Sequence, residues 1–453
     1  MVSSPLYISD TIAAVATAAG RGGIGIIRVS GTNAHKIAQS LTGKTSLSSR
    51  KAYYTDFTDA SGEAIDSGLT LYFPAPHSFT GEDVIELQGH GSPIVLDRLL
   101  RRCFELGARQ ARPGEFSERA FLNDKLDLVQ AEAIADLINA QTETAARLAQ
   151  LSLRGDFSRD VHKLADHLLG LRVYVEAAID FPEEEIDFLS DGHVQAQLHY
   201  GITLGETIRQ QAQQGLIYQT GATVVLAGQP NAGKSSLLNN LAGDALAIVT
   251  NVPGTTRDLI REHINIAGVP VHLIDTAGLR QSDDVIEQEG IRRAQLAMTD
   301  ADLVLHLCDD NNPSSAAGAE RLGITHHNVI TVLTKVDQSG RRASTQESPP
   351  QRTVAVSNTT GEGLAALKTT LLHFLGVQET THSPYSARER HLTALTTTLT
   401  LLKEANTQFL ATGAGELLAA DLRRAHDELG HITGVVSSDD LLGEIFSSFC
   451  IGK

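Results

Sequence analysis

A glycine-rich stretch that contains a lysine is the part of the sequence whose spacing most clearly predicts chemistry. The residues "GQPNAGKS" follow an apolar run that ends at Gly228 and precede an amphipathic run. This is the strand–loop–helix context of a P-loop. Glycines let backbone N–H groups turn towards an anion, and a helix N-terminus adds partial positive charge. We therefore predict that Lys234 binds the β- and γ-phosphates of a nucleotide and that Ser235 is a ligand of Mg²⁺.

Three further motifs follow in the order expected of a guanine-nucleotide domain. Asp275 ends the apolar run of "VHLIDTAG", where a carboxylate can hold Mg²⁺ through water and Gly278 can approach the γ-phosphate. The stretch "ITVLTKVD" ends in Asp337, whose carboxylate can accept hydrogen bonds from N1–H and the 2-amino group of guanine. Ser357 and Asn358 in "TVAVSNTTGEGL" are expected to lie over the base. A metabolic P-loop kinase is the alternative, but it leaves "TKVD" unexplained.

One position of the base-binding motif is unusual. The motif usually begins with asparagine, whereas here Thr334 precedes Lys335. Threonine is shorter than asparagine and has no amide group. We therefore expect a contact that orients the base-binding loop to be lost and the affinity for GTP to be weaker, while Asp337 preserves the specificity for guanine.

The residue that follows "DTAG" cannot orient the attacking water. Ras-like GTPases have a glutamine at this position, whereas this chain has Leu279. An acid in the next segment can accept a hydrogen bond from the water, directly or through a second water. The candidates are Asp283, Asp284, Glu287 and Glu289.

The transition state also needs positive charge beyond Lys234 and Mg²⁺. An arginine finger is one source, with Arg257 and Arg280 as candidates. A monovalent cation is the other source, because the amide oxygen of Asn231 is placed beside the phosphates and hard oxygen ligands suit K⁺ or Mg²⁺. Further oxygen ligands in "TNVPGTTRD" are the backbone carbonyls around Thr250 and Val252 and the hydroxyls of Thr255 and Thr256.

The order of strand and helix patterns indicates what positions these residues. Residues 221–376 alternate apolar strands with helices, as a parallel α/β sheet requires. Residues 1–120 mix short β-rich runs with a helical patch and indicate an α+β domain, whereas residues 121–220 and 377–453 are helical. We predict one discontinuous all-α domain, interrupted by an inserted Ras-like α/β P-loop domain.

Composition limits the classes of partner and location. The chain has 453 residues, with 37 Lys plus Arg against 54 Asp plus Glu and a net charge of −17. That charge argues against a protein that coats nucleic acid non-specifically. The three cysteines indicate a reducing compartment. No secretory signal or membrane-spanning run is evident, so we expect a cytoplasmic location.

Several stretches together identify a family. The motifs "PNAGKSSLLNNL", "GTTRD" and "DTAGLR" resemble the TrmE–Era–Septin-like GTPases. Outside that domain, "RPGEFSERAFLNDKLDLVQAEAIADLI", "YVEAAIDFPEEEIDF" and "FCIGK" resemble the MnmE (TrmE) family of tRNA modification GTPases. This resemblance implies a homodimer whose two G domains face each other and bind K⁺ in place of an arginine finger. It also implies dimerisation through the N-terminal domain.

The resemblance also implies the roles of individual residues. Ser235 and Thr256 match Mg²⁺ ligands, and Glu287 matches the acid that positions water through a bridging water, while Lys234 and Asn231 complete the catalytic set. Asn231, Thr250, Val252 and Thr255 match the K⁺ ligands. The full set expected to bind GTP is Asn231, Ala232, Gly233, Lys234, Ser235, Ser236, Thr250, Asn251, Val252, Pro253, Gly254, Thr255, Thr256, Asp275, Thr276, Ala277, Gly278, Thr334, Lys335, Asp337, Ser357 and Asn358.

The N-terminal region has no nucleotide motif, and its function is implied by the resemblance alone. The family's N-terminal domain binds a tetrahydrofolate derivative, methylene-tetrahydrofolate. Arg28, Glu86, Lys125 and Lys453 match its folate-contacting positions. Near the C-terminus, Cys450 is then either a residue of this pocket or a packing thiol.

The reaction that the resemblance implies needs a second protein. A flavoprotein, MnmG, which carries FAD, would form a heterotetramer with the homodimer and add an aminomethyl or carboxymethylaminomethyl group to C5 of the tRNA wobble uridine. The alternatives are a ribosome-assembly GTPase without folate, and a folate enzyme that needs no partner. Six arginines either contact tRNA or form a solvated helix face: Arg98, Arg101, Arg102, Arg109, Arg112 and Arg119.

Overall fold

The chain forms two compact units. One contains Met1–Ala135 and His426–Lys453, and the other contains Asp136–Ala425. The structure is a computed structural model. It describes residues 10–180, 192–243, 261–275, 296–312, 328–348, 351–377, 385–436, 438–449 and 452.

The first unit contains a six-stranded sheet in the order β3-β4-β5-β2-β1-β6, with β1 and β6 parallel and the other pairs antiparallel. One face of the sheet packs on two amphipathic helices through buried side chains such as Ile27, Phe57, Leu87 and Leu99. The strands are β1 Thr11–Val15, β2 Gly22–Ser30, β3 Tyr53–Thr58, β4 Ala64–Phe73, β5 Val84–Gly91 and β6 Ala108–Gln110.

The second unit contains a seven-stranded sheet in the order β12-β13-β11-β10-β7-β9-β8. The five central strands are parallel and the two edge strands pair antiparallel. The central strands are nearly continuous apolar runs, as expected of a sheet buried on both faces. The strands are β7 Ala222–Gly228, β8 Arg261–Ile266, β9 Val269–Asp275, β10 Leu303–Asp309, β11 Val329–Thr334, β12 Thr345–Ser348 and β13 Gln351–Ala355.

Helices pack against both sheets, and a 28-residue helix leads into β7. None of the helices in the described ranges has the length and apolar character needed to cross a membrane. The helices are α1 Ala34–Thr42, α2 Pro93–Glu105, α3 Glu115–Leu122, α4 Leu128–Asn139, α5 Glu143–Leu153, α6 Asp156–Asp180, α7 His193–Thr220, α8 Lys234–Gly243, α9 Val336–Ser339, α10 Leu364–Phe374, α11 Glu389–Thr412, α12 Gly415–Thr433 and α13 Asp439–Ser447.

The sequence-based expectations for fold class agree with these elements. The α+β character of the N-terminal region, the parallel α/β sheet and the helical segments on either side of it are all present. Because the carboxyl ends of parallel strands meet at one edge of the sheet, the last residues of β7, β9, β10 and β11 lie together there. That edge is the place to look for a nucleotide site.

Candidate nucleotide-binding site

The loop after β7 has the backbone of a phosphate-binding turn. Gly228 (φ 156°), Asn231 (φ 63°) and Gly233 (φ 89°) all have positive φ angles. A Cβ atom on Gly228 would lie 2.6 Å from the carbonyl oxygen of Leu307, and one on Gly233 would lie 3.1 Å from Nδ2 of Asn358. The positive φ angles favour glycine at both positions, and at Gly228 the close backbone oxygen of Leu307 also leaves no space for a side chain.

Lys234 begins α8 and its ammonium group points back into this loop. The side chain is buried, and its Nζ donates hydrogen bonds of 2.9 Å to the carbonyl oxygens of Gly228 and Gln229. A phosphate oxygen is a stronger acceptor than a neutral carbonyl, and the helix N-terminus also favours an anion. Lys234 is thus placed to bind a phosphate, as the sequence predicts.

Two side chains with oxygen atoms that could bind a metal ion lie at the same edge of the sheet. Ser235 is exposed in the first turn of α8, next to the loop. Asp275 ends β9 and is buried, and it lies opposite Leu226 in the neighbouring strand β7. A hydroxyl and a carboxylate are the ligand types that Mg²⁺ takes in proteins. Their chemistry and location fit the predicted magnesium site.

Thr334 connects the base-binding loop to the phosphate-binding loop. Its side chain is fully buried, and Oγ1 donates a hydrogen bond of 2.8 Å to the carbonyl oxygen of Ala232, with the carbonyl oxygen of Cys308 at 3.2 Å. The expectation that threonine would lose the orienting contact is therefore wrong. The hydroxyl can reach a carbonyl because β11 ends directly beside the P-loop.

A second connection joins the loop after β13 to the P-loop. Asn358 Nδ2 donates to the carbonyl oxygen of Gly233 at 3.3 Å, and Asn240 Nδ2 in turn donates to the carbonyl oxygen of Asn358 at 2.7 Å. Beside them, the hydroxyl of Ser357 donates to Oδ1 of Asp337 at 2.7 Å. The structure thus brings the acceptor predicted for guanine, the loop over the base and the P-loop into one hydrogen-bonded group.

Part of the predicted site lies outside the described residues. These positions include the proposed water-positioning acid Glu287 and most of the proposed K⁺ ligands. Within the described ranges, no group of three His, Cys, Asp or Glu side chains could hold a metal ion. The predicted residues outside those ranges are Thr250, Asn251, Val252, Pro253, Gly254, Thr255, Thr256, Thr276, Ala277, Gly278, Glu287 and Lys453.

The first unit contains a separate cavity of about 420 Å³. Its polar centre is an ion pair across β2 and β5, in which Nε and Nη2 of Arg28 donate to Oε1 of Glu86 at 3.1 and 3.0 Å. These two residues lie directly opposite each other in the strand register. The cavity is lined by Arg28, Arg50, Phe73, His77, Ser78, Phe79, Val84 and Glu86.

Each arginine of the cavity lies against an aromatic ring. The guanidinium carbon of Arg28 is 5.7 Å from the ring centre of Phe79, and that of Arg50 is 5.5 Å from the ring centre of Phe73. Arg50 also donates from Nη2 to the carbonyl oxygen of His77 at 2.6 Å. The cavity therefore combines a carboxylate, two cations and flat apolar walls, which suits a planar, polar-edged ligand with an anionic group.

An ion-pair network around the buried side chains of Arg119 and Glu115 lies in the same unit as the cavity. Nη1 of Arg119 donates to both carboxylate oxygens of Glu82, in the loop between β4 and β5, while Nη2 donates to Asp10 and Glu115 at 2.6 and 3.0 Å. Burial alone would raise the pKa of Glu115, but the hydrogen bonds from Arg109, a backbone N–H and Arg119 lower it to about 2. Glu115 is therefore ionised at neutral pH.

Comparison with known proteins identifies the family. The model of the GTP-binding protein TrmE N-terminus matches residues 11–125, and the model of the MnmE helical domain matches residues 128–450. The tRNA modification GTPase MnmE of Pseudomonas aeruginosa strain UCBPP-PA14 is 55% identical over 98% of this chain and 99% of its own length. The chain belongs to the MnmE family.

Other relatives agree with this membership. The tRNA modification GTPase MnmE of Legionella pneumophila strain Corby is 54% identical over 98% of this chain and 99% of its own. The G domain of the T. maritima FeoB iron transporter is 30% identical and matches 34% of this chain and 98% of its own, with a TM-score of 0.26. That score is too low to carry an argument, so the strand order and the P-loop carry the assignment of the α/β unit.

Membership in the MnmE family confirms the resemblance stated from the sequence, but it does not test the individual folate positions. Arg28 and Glu86 line the cavity together, whereas Lys125 is exposed and lies beside Gly81, where an added Cβ would be 3.4 Å from Cε of Lys125. Lys453 and Cys450 lie outside the described residues. Sequence reasoning missed Arg50 and the aromatic lining, for which the sequence carries no signal.

The structure also bears on the six arginines considered for tRNA contact. Each forms an ion pair with a carboxylate, and Arg119 is buried. Arg119 is therefore part of the framework of the first unit and presents no surface charge to a polyanion. The pairing of the other five favours the structural interpretation over a basic tRNA-binding surface.

Proposed function

We propose that this chain is a GTP hydrolase that acts in tRNA modification. The observation that carries the proposal is the pair of hydrogen bonds that ties the base-binding residues to the P-loop, from Thr334 to Ala232 and from Asn358 to Gly233. They support the proposal because the predicted phosphate cradle and the predicted acceptor for guanine are then joined at the same edge of one sheet. The activity in tRNA modification is supported by the names of the MnmE relatives.

Different residues of the proposed site bind the phosphates and the base. Lys234 and the N–H groups of the P-loop bind the phosphates, and Asp337 accepts two hydrogen bonds from the guanine edge. Ser357 holds the carboxylate of Asp337 in place. Release of inorganic phosphate from GTP by the purified full chain tests the proposal. We expect steady turnover, and a chain that binds GDP without ever hydrolysing GTP would contradict the enzymatic part.

Two ions complete the proposed site. The exposed hydroxyl of Ser235, the buried carboxylate of Asp275 and Thr256 would hold Mg²⁺, while the exposed Asn231, with Thr250, Val252 and Thr255, would hold K⁺. Bound cations neutralise the negative charge that develops on the phosphates. The amide oxygen of Asn231 suits a monovalent cation, and this residue lies within the P-loop itself, with a positive φ.

Turnover in different alkali salts tests the potassium site. At matched ionic strength we expect GTP hydrolysis to be faster in K⁺ than in Na⁺, and the acceleration to be lost in Asn231→Ala. A rate that is the same in both salts would remove K⁺ from the proposal while leaving GTP binding intact.

Glu287 is the proposed acid that positions the attacking water, because Leu279 cannot. We expect Glu287→Ala to lose most of its turnover and to keep its affinity for GTP. Glu289→Ala is the matched control, since it removes the same group two residues away. If Glu289→Ala loses turnover and Glu287→Ala does not, the acid has been assigned to the wrong residue.

The cavity in the first unit is proposed to bind a tetrahydrofolate derivative. Glu86 can accept hydrogen bonds from the donor edge of a pterin ring, Arg28 or Arg50 can pair with a carboxylate, and Phe73 and Phe79 offer flat surfaces. A reduced folate supplies a one-carbon unit when bound. Equilibrium dialysis of the full chain with 5-formyl-tetrahydrofolate tests the site, and absence of binding would instead favour a ribosome-assembly GTPase.

The complete reaction is proposed to need a flavoprotein partner, MnmG with its FAD, and a homodimer of this chain, in the cytoplasm. The product would be an aminomethyl or carboxymethylaminomethyl group at C5 of the tRNA wobble uridine. Reconstitution on tRNA that lacks this modification, with and without the flavoprotein, tests the partner. Modification without the flavoprotein would favour a folate enzyme that acts alone.

A further inference from the structure

Lys335 of the base-binding loop forms an ion pair with Asp309, an acid that is not part of the predicted nucleotide motifs. Asp309 is the last residue of β10, and it lies opposite Thr334, the last residue of β11. Lys335 follows in the left-handed conformation, with a φ of 60°. Its Nζ donates a hydrogen bond of 2.7 Å to Oδ2 of Asp309.

The carboxylate of Asp309 is held from a second side. Its Oδ1 accepts hydrogen bonds from the backbone N–H of Asn311 at 3.0 Å and from Nδ2 of Asn311 at 3.3 Å. The hydrogen bond from Lys335 is the largest of several effects that lower the pKa of Asp309. Asp309 is therefore an ionised anchor with a fixed orientation, and both side chains of the pair are partly shielded from water.

The pair fixes the course of the lysine side chain. The backbone of Lys335 is set by Thr334, which is hydrogen-bonded to the P-loop, and Asp337 follows two residues later. With its ammonium held at the end of β10, the four-carbon stem of Lys335 spans the ends of β10 and β11. A free lysine side chain has many rotamers, and immobilising one on binding weakens the affinity. A lysine that is already fixed avoids much of that loss.

We propose that Asp309 is a positioning residue of the guanine site, which holds Lys335 so that its stem forms one side of the space for the purine ring. The proposal rests on the proposed function of the chain as a GTP-binding enzyme. Asp309 contacts Lys335 and not the nucleotide, so it acts on the affinity for nucleotide and not on the chemical step. The stem of Lys335 is apolar and can contact the face of a purine, whereas Asp337 contacts its edge.

Asp309→Asn tests this role against a matched control, Asp310→Asn. Asp310 is the next residue and also forms an ion pair, but its partners are Arg341 and the hydroxyl of Ser339, and not Lys335. For the full chain we expect Asp309→Asn to weaken GDP binding and to raise the KM for GTP by about 5-fold, with kcat unchanged, because the lost pre-ordering affects binding alone. The binding of IDP, which lacks the 2-amino group, should be weakened by the same factor, because Asp309 does not act on that group. For Asp310→Asn, the affinity for GDP and the KM for GTP should stay within about 2-fold of the values of the parent chain.

A double variant shows whether Asp309 acts through Lys335. Asp309→Asn combined with Lys335→Met should bind GDP no more weakly than Lys335→Met alone. Additive losses in the double variant, or equal affinities of Asp309→Asn and Asp310→Asn, would overturn the inference. A thermal melt without nucleotide checks that both aspartate variants fold as the parent does. If the parent chain itself fails to bind GDP, the proposed function fails and not merely this role of Asp309.

Discussion

The nucleotide site and the cavity of the first unit are built in opposite ways. The nucleotide site consists of short consecutive stretches at the ends of parallel strands. Its side chains are held largely by hydrogen bonds to backbone carbonyl oxygens. The cavity consists of side chains from separate strands and a loop, centred on an ion pair between residues that are 58 positions apart. A site of the first kind leaves a pattern in the sequence, whereas a site of the second kind appears only when strands are paired in register.

Because the two sites are built separately, we expect a substitution in one site to leave the ligand of the other site bound. The largest effect is expected for Lys234, on GTP turnover. Lys234→Ala removes the only side-chain cation of the P-loop, whose charge stabilises the phosphates during transfer. We expect GTP turnover to fall by about 10³-fold. Phosphate release measured at saturating GTP checks the change, and folate binding by the same variant is the internal control. A loss of folate binding together with turnover would argue against two independent sites.

Asp337→Asn should alter which base is accepted. The amide replaces an acceptor by a donor, so the two hydrogen bonds to guanine are weakened, whereas the 2-carbonyl of xanthine becomes a suitable partner. Hydrogen bonds to charged groups are worth about 1.5–3 kcal/mol each, so we expect GDP binding to weaken by about 10²-fold. Titration of the variant and the parent chain with GDP and with XDP measures the affinity for each base. Equal weakening of the two nucleotides would show that Asp337 does not contact the base edge.

Glu86→Gln should weaken only the folate cavity. The substitution removes the carboxylate from its ion pair with Arg28 and turns part of the acceptor surface into a donor. A reduced folate should bind about 30-fold more weakly, which corresponds to one hydrogen bond to a charged group. Glu105→Gln is the matched control, because it breaks an exposed ion pair with Arg102 in the same unit. The prediction fails if both variants bind the folate equally well.

Glu115→Gln should affect stability rather than either ligand directly. Because the folded pKa of Glu115 lies below its usual value, at about 2, its contribution is fully present above a pH of about 4.5 and is lost as the pH falls towards 2. Removing its charge at pH 7 should destabilise the chain by about 2 kcal/mol, because Arg109 and Arg119 lose a buried partner but keep others.

Denaturant unfolding at several pH values measures this effect. The difference between Glu115→Gln and the parent should shrink below a pH of about 4.5. Glu118 on the same helix is the control position, because among the described contacts it pairs only with the more exposed Arg112. Glu118→Gln should change the free energy of unfolding by less than about 0.5 kcal/mol. A difference that stays constant down to pH 2 would mean that the ionised carboxylate of Glu115 is not what stabilises this ion-pair network.

The sequence predicted the residues of the two sites unequally. Lys234, Asp275 and Asp337 were located from spacing alone, because their positions at strand ends follow from local hydrophobic patterns. The contact between Thr334 and Ala232 could not be predicted, since it depends on how closely β11 approaches the P-loop. Arg28 and Glu86 were inferred only through family resemblance, and their pairing depends on the register between β2 and β5.

Other residues of the cavity had no signal at all in the sequence. Arg50 lies before β3 and Phe79 lies in the loop before β5, and nothing in their neighbours indicates that they face one space. Side-chain packing across a sheet and a loop decides such contacts, and no periodicity encodes it. The same holds for Asp309, which is an ordinary strand-end acid until its contact with Lys335 is seen.

The most direct test of the guanine site is calorimetric titration of the full chain with GDP and, under the same conditions with Mg²⁺, with ADP. The arrangement of Lys234, Thr334 and Asp337 predicts saturable binding of one GDP per chain, and binding of ADP that is weaker by at least about 10²-fold, since adenine cannot donate two hydrogen bonds to a carboxylate. Equal affinities for GDP and ADP would contradict the assignment of this edge of the sheet as a guanine-nucleotide site.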